Sequence, residues 1–83
     1  FRDTYGWTRY LHGEHDEALA YIEPLTEALP DNPWIWYHLG MVYAALDRPG
    51  EARTALEKAL EKGGDGFVRA TEINDRLARL ASN

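Results

Sequence analysis

Cysteine is absent from the 83-residue chain, which excludes a disulfide scaffold, a thiolate zinc site and a cysteine nucleophile. The absence does not fix a compartment, since reducing and oxidising locations both tolerate a cysteine-free protein. Serine occurs once, at Ser82, and no Gly-x-Ser-x-Gly elbow is present. No apolar run approaches the roughly 20 residues that a bilayer-spanning helix needs, and no signal peptide is visible. Basic residues are scarce in the first half. Residues 1–46 hold Arg2 and Arg9 against Asp3, Glu14, Asp16, Glu17, Glu23, Glu27 and Asp31, two charges against seven, which accounts for the whole net charge of −5. Residues 47–83 balance to zero. Nucleic acid and anionic membrane surfaces call for clustered Lys and Arg, so the acidic half argues against both and mildly favours a basic partner. Gly63-Gly64-Asp65-Gly66 lacks the preceding strand and following lysine of a phosphate-binding loop and reads as a helix terminator.

What the chain does have is aromatic and helical. It carries three Trp, five Tyr and two Phe, with 45% hydrophobic and 28% charged residues, the composition of an ordered globular protein. Its length predicts one domain with a thin core, because a chain this short buries only about 60–65% of its unfolded surface. Asp31-Asn32 followed by Pro33 reads as a cap and a first-turn proline. From there Ile35, Trp36, Leu39, Val42, Tyr43 and Leu46 recur at three- and four-residue spacing, predicting a helix over 33–46. Asp47-Arg48-Pro49-Gly50 breaks it, and a second helix opens at Pro49 with Ala52, Leu56, Ala59 and Leu60 as its stripe, ending at Gly63-Gly64. Residues 3–12 predict an earlier helix stopped by Gly13. Residues 15–29 predict another, with Ala18, Ile22, Leu25 and Leu29 on one face, kinked or restarted near Pro24, and residues 67–81 predict a last one. Short connections make neighbours antiparallel.

Offset by 34 residues, the chain lies on itself: Gly6 on Gly40, Glu17 on Glu51, Ala18 on Ala52, Ile22 on Leu56, Glu23 on Glu57, Glu27 on Glu61 and Asp31 on Asp65. A helix pair recurring at that period signals a solenoid. Residues 36–43, Trp-Tyr-His-Leu-Gly-Met-Val-Tyr, carry the W-x₂-L-G-x₂-Y pattern in full, followed by Ala52, Leu56 and Ala59. On these residues the chain resembles the tetratricopeptide-repeat family. The first unit matches more weakly, with Arg2, Arg9 and Leu25 where Trp36, Tyr43 and Ala59 stand in the second. The last helix departs further, with Ala70 and Asn74 at the Trp and Gly positions.

The resemblance implies an all-α, right-handed solenoid of about 2.5 repeats and five antiparallel helices. Its expected parts are a first repeat over about 1–32, a second over about 33–66 and a C-terminal capping helix over about 67–82. Trp36 and Tyr43 are expected in the core. Since at least three repeats are typical, and since Phe1 rather than Met opens the sequence, the expectation is the C-terminal part of a longer array, or self-association. Phe1 and Tyr5 would then have packed on a preceding repeat.

The resemblance also implies a concave wall made by the first helix of each pair. That wall would hold Asp3, Trp7 and Tyr10, then Trp34, Tyr37, His38 and Met41, then Thr71 and Asp75. Aromatics and Met are common anchors for peptides and docking helices. Against this stands packing of the same side chains on one another. The Lys, Arg and Asn with which some family members grip a C-terminal carboxylate are replaced here by Asp3, Trp7, Tyr37 and Met41, which speaks against that mode. His12 and His15 beside Glu14 and Asp16 resemble a metal site, but Gly13 interrupts the helix between them, and a solvated turn is the simpler reading. Paired carboxylates such as Asp16-Glu17 read as first-turn charges. No catalytic constellation, cofactor or metal is therefore expected. The expected function is protein–protein interaction, with a basic or apolar peptide or helical segment as partner and neither nucleic acid nor membrane insertion. Alternatives are a non-binding end cap of a longer array and an accessory domain of a larger catalytic chain.

Overall fold

The structure, a computed structural model, describes residues 2–64 and 66–81, and side chains within 6–64 and 66–80. The expectations placed on Phe1, Asp65 and Ser82, and on the side chains of Asp3 and Tyr5, lie outside it. Six helical segments follow in order: α1 (Arg2–Leu11), α2 (His15–Ile22), α3 (Leu25–Ala28), α4 (Pro33–Ala45), α5 (Pro49–Gly63) and α6 (Ala70–Ala81). No strand occurs among the described residues.

The helix expected over 15–29 is divided into α2 and α3. Glu23 and Pro24 keep right-handed helical dihedrals, so the path is kinked rather than reversed. Proline has no N–H to continue the ladder, and the backbone tightens there to three-residue bonds, Thr26 N to Glu23 O and Glu27 N to Pro24 O, both 3.2 Å. Counted as one kinked element, α2 and α3 bring the helices among the described residues to five. Leu29, expected on the apolar face, lies beyond α3 and is half exposed. The last helix begins at Ala70 rather than 67. Gly64, at φ 68°, turns the chain out of α5, and Phe67 folds back onto Gly63, where a Cβ would meet it at 2.7 Å.

Caps at the other ends follow from the sequence. Asn32 Oδ1 accepts from Trp34 N at 3.0 Å, with Pro33 in the first turn of α4. Arg48 grips Glu51 with two bonds of 2.7 Å where α5 begins. α1 and α4 end alike. Glu14 N donates to Arg9 O (2.9 Å) and Gly13 N to Tyr10 O (3.0 Å); Arg48 N donates to Tyr43 O (3.0 Å) and Asp47 N to Ala44 O (3.2 Å). Each is the paired bonding of a Schellman turn, with its left-handed residue at Gly13 (φ 82°) and Asp47 (φ 60°). Those two positions are 34 residues apart, so the repeat is present in the backbone as well as in the side chains.

α4 is the central helix. Ile35, Leu39, Val42 and Tyr43 meet Ala18 and Ile22 of α2 and Ala52 and Ala55 of α5 in one buried cluster. Tyr37 and Met41 meet Leu56, Ala59 and Ile73 in a second, against which Trp7, Tyr10, Phe67, Leu77 and Leu80 pack. Within each pair the helices approach at a glycine. A Cβ on Gly6 would sit 2.6 Å from Ile22, and one on Gly40 2.6 Å from Leu56. Trp36, expected in the core, is half-buried at its edge, donating Nε1–H to Pro30 O at 2.8 Å with the Lys58 ammonium 5.5 Å from its ring centroid.

Candidate functional site

The side chains expected on one wall are largely brought together. α1 and α4 lie side by side through a stack of rings. Trp7 is parallel to Tyr10, with centroids 4.6 Å apart, and to His38, at 4.2 Å. Helical geometry puts Trp7 and Tyr10, three residues apart, on one face of α1, and Trp34, Tyr37, His38 and Met41 on one face of α4. Tyr37 meets Trp7 at 5.9 Å, and Trp34 meets both Tyr37 and His38 at 6.1 Å. Such offset and edge contacts are favourable beyond the area they bury.

Exposure divides these residues. Tyr37 and Met41 are each 4% exposed and His38 is buried, while Trp7 and Tyr10 are half-buried. Trp34, at the start of α4, is 37% exposed. Thr71 and Asp75, on α6, are exposed. Tyr37 and Met41 are therefore a floor rather than a wet surface, buried in one cluster with Leu56 and Ala59 of α5 and the fully buried Ile73 of α6.

Three residues beside this face are not among the expected site residues: Arg69, Glu72 and Phe67, the last expected only on the apolar face of the final helix. Phe67 meets the Trp34 ring edge-on at 5.0 Å. The Arg69 guanidinium carbon lies 5.8 Å from the Trp34 ring centroid, and its Nη1 is 3.5 Å from Glu72 Oε1. The second oxygen of Glu72 accepts the phenolic hydrogen of Tyr37. Burial, and then that carboxylate, push the Tyr37 phenol well above the ordinary tyrosine range. A signal for Glu72 was available, since the 34-residue offset places it on His38.

Other groups are accounted for locally. His12 is exposed, and His15 lies 5.4 Å from Tyr10. Glu14 is held below the usual carboxylate range chiefly by its 2.7 Å bond to Arg9. Among the described residues no three His, Asp or Glu side chains converge as a metal site would require, and no helix is long and apolar enough to cross a membrane. An open cleft of about 590 Å³ at the α4–α5 turn, lined by Tyr43, Arg48, Pro49, Gly50, Glu51 and Thr54, shares no residue with the aromatic face.

Comparison with protein families finds that the tetratricopeptide repeat model matches residues 10–71. Comparison with curated proteins returns no match.

Proposed function

The chain belongs to the tetratricopeptide-repeat family, whose members are typically non-catalytic protein-interaction modules, and from that membership we propose that it docks a peptide or helical segment of a partner on the face shared by α1, α4 and α6. The observation that supports this most is the ring array running from Tyr10 through Trp7 and His38 to Trp34, which comes to the surface at a Trp 37% exposed. A large, half-exposed aromatic at the edge of a rigid apolar floor is the usual form of an interface anchor. Tyr37 and Met41 serve as that floor, and Trp34, Thr71 and Asp75 are the members a partner reaches. The excess of acidic groups in residues 1–46 steers a basic partner.

Burial of Tyr37 and Met41 in a cluster shared with α5 and α6 favours a second reading, in which the face stabilises a larger array and binds nothing. The two are separated by affinity capture with the wild-type chain and with Thr71→Arg/Asp75→Arg, which changes only exposed positions. Circular dichroism checks that both remain helical. A protein held by the first and lost by the second, then rebuilt as a purified pair with the same contrast, supports docking. Equal capture by both, or by neither, supports the structural reading.

A further inference from the structure

We propose that the corner formed by Trp34, Phe67 and Glu72 is a seat for an arginine side chain of the partner, and that Arg69 occupies it as an internal, displaceable stand-in. The inference rests on the docking reading above and adds the chemistry of what is docked.

Three observations carry it. The first is that the seat is built. Glu72 Oε2 is fixed by the Tyr37 phenol, so the carboxylate has one oxygen anchored and the other, Oε1, turned to Arg69. The Trp34 ring is braced edge-on by Phe67 at 5.0 Å and by Tyr37 at 6.1 Å. An indole face beside an oriented carboxylate is complementary to a planar cation, which stacks on the one and donates to the other.

The second observation is that the resident cation is loosely held. Its guanidinium lies 5.8 Å from the Trp34 centroid, at the outer edge of the range in which a cation over a ring gains energy. Its contact with Glu72 is 3.5 Å, between side chains 48% and 39% exposed, and pairs of that kind contribute little net stability. Arg69 sits on the short connection between α5 and α6, outside either helix.

The third is charge and shape around the seat. Asp75, three residues beyond Glu72 on α6, is exposed and adds a second negative charge. Val68, 74% exposed next to Arg69, offers an apolar neighbour. The fitting occupant is an extended segment with an arginine beside an apolar residue. Arginine fits better than lysine because its planar fork can stack and hydrogen-bond together, whereas an ammonium is a strongly hydrated point charge.

A resident competitor lowers the apparent affinity by the fraction of time the seat is open. Removing Arg69 therefore strengthens binding of an external arginine, by opening the seat and by taking away a positive charge that repels it. The test uses the isotope-labelled 83-residue chain, with two capped peptides titrated to millimolar concentration and followed by the Trp34 indole and Glu72 amide resonances. One peptide is acetyl-Gly-Arg-Leu-Gly-amide. The other has citrulline for arginine, which keeps shape and loses charge. The expected result is movement of both resonances by the arginine peptide, at least tenfold weaker response to citrulline, and about threefold tighter arginine binding by Arg69→Ala. Trp34→Ala loses the response at the Glu72 amide, and Glu72→Gln loses it at the Trp34 indole. Should Trp34→Ala fail to fold, the citrulline contrast on the wild-type chain and the Arg69→Ala comparison still decide. Equal response to the two peptides, no response to either, or unchanged or weaker binding by Arg69→Ala overturns the seat. The Thr71→Arg/Asp75→Arg capture leaves all three seat residues in place, so a partner contrast there with a negative peptide result strikes this inference alone.

Discussion

Tyr43 on α4 donates its phenolic hydrogen to the carboxylate of Glu23, at the joint between α2 and α3. Burial first, and then the bond to Glu23, push that phenol up to about 12. In the unfolded chain it titrates near 10, so between those values the folded protein holds a proton that the unfolded chain has released. Stability from this group is fully present below about pH 10 and is lost as pH rises from about 10 towards 12. Urea denaturation of wild type and Tyr43→Phe at pH 8 and pH 11 checks it. The variant is expected to be about 1 kcal/mol less stable at pH 8, having lost the hydrogen bond, and to lose less between the two conditions. Parallel losses would show that the Tyr43 proton is not coupled to folding. Tyr37, shifted in the same direction beside Glu72, adds to the alkaline loss in both proteins.

Asp47 occupies, at φ 60°, the left-handed position that Gly13 fills in the first unit. A side chain there costs roughly 1–2 kcal/mol of local strain, against which the greater freedom of glycine in the unfolded chain offsets roughly 0.4–1 kcal/mol. Asp47→Gly is expected to raise stability by about 0.5–1 kcal/mol, and Gly13→Ala to lower it by about 1 kcal/mol. Thermal melts of the two variants should move in opposite directions.

Gly40 leaves no room for a methyl group. A Cβ there would lie 2.6 Å from both Leu56 Cγ and Cδ2 and 3.3 Å from the Ala52 carbonyl oxygen. Leu56 is itself fully buried, so the helices must part to admit it. Gly40→Ala is expected to cost about 1–3 kcal/mol of overpacking, against which the better helix propensity of alanine recovers at most about 1 kcal/mol. Gly50, in the first turn of α5, has nothing within 4 Å of its Cβ position. Gly50→Ala is expected to be neutral or stabilising by up to about 1 kcal/mol. Chemical denaturation midpoints compare the pair, and equal effects would show that the α4–α5 approach is not tight at Gly40.

Much of the fold is legible because it is written in local terms. The Asn32-Pro33 start, the Pro49 start and the glycine stops are backbone requirements, and α4 and α5 lie within a residue or two of their expected bounds. The Gly6–Ile22 and Gly40–Leu56 contacts are the 34-residue match seen in three dimensions. The division at Pro24 was harder to place, since its apolar spacing runs through unbroken and the missing N–H alone decides how far the ladder continues. The late start of α6 depends on Phe67 folding back on Gly63, a contact that periodicity does not encode. The candidate face was legible as a set of positions, but not in its exposure. Tyr37 and Met41 are buried in a cluster shared with α5 and Ile73 of α6, and Trp34 lies outside it, a difference that no pattern within α4 records.

α4 has eight buried residues among its 13, seven of them the unbroken run from Tyr37 to Tyr43. An ordinary surface helix has a dry side and a wet side, so its tolerance of replacement rises and falls every three or four positions. Here neighbours on several sides remove that rhythm along the middle of the helix. A complete substitution scan should therefore show α4 as a solid intolerant block, beside α2 and α5, where tolerance oscillates. Sequence drift in this chain is then confined to its outer helices and turns, with the central one held nearly fixed.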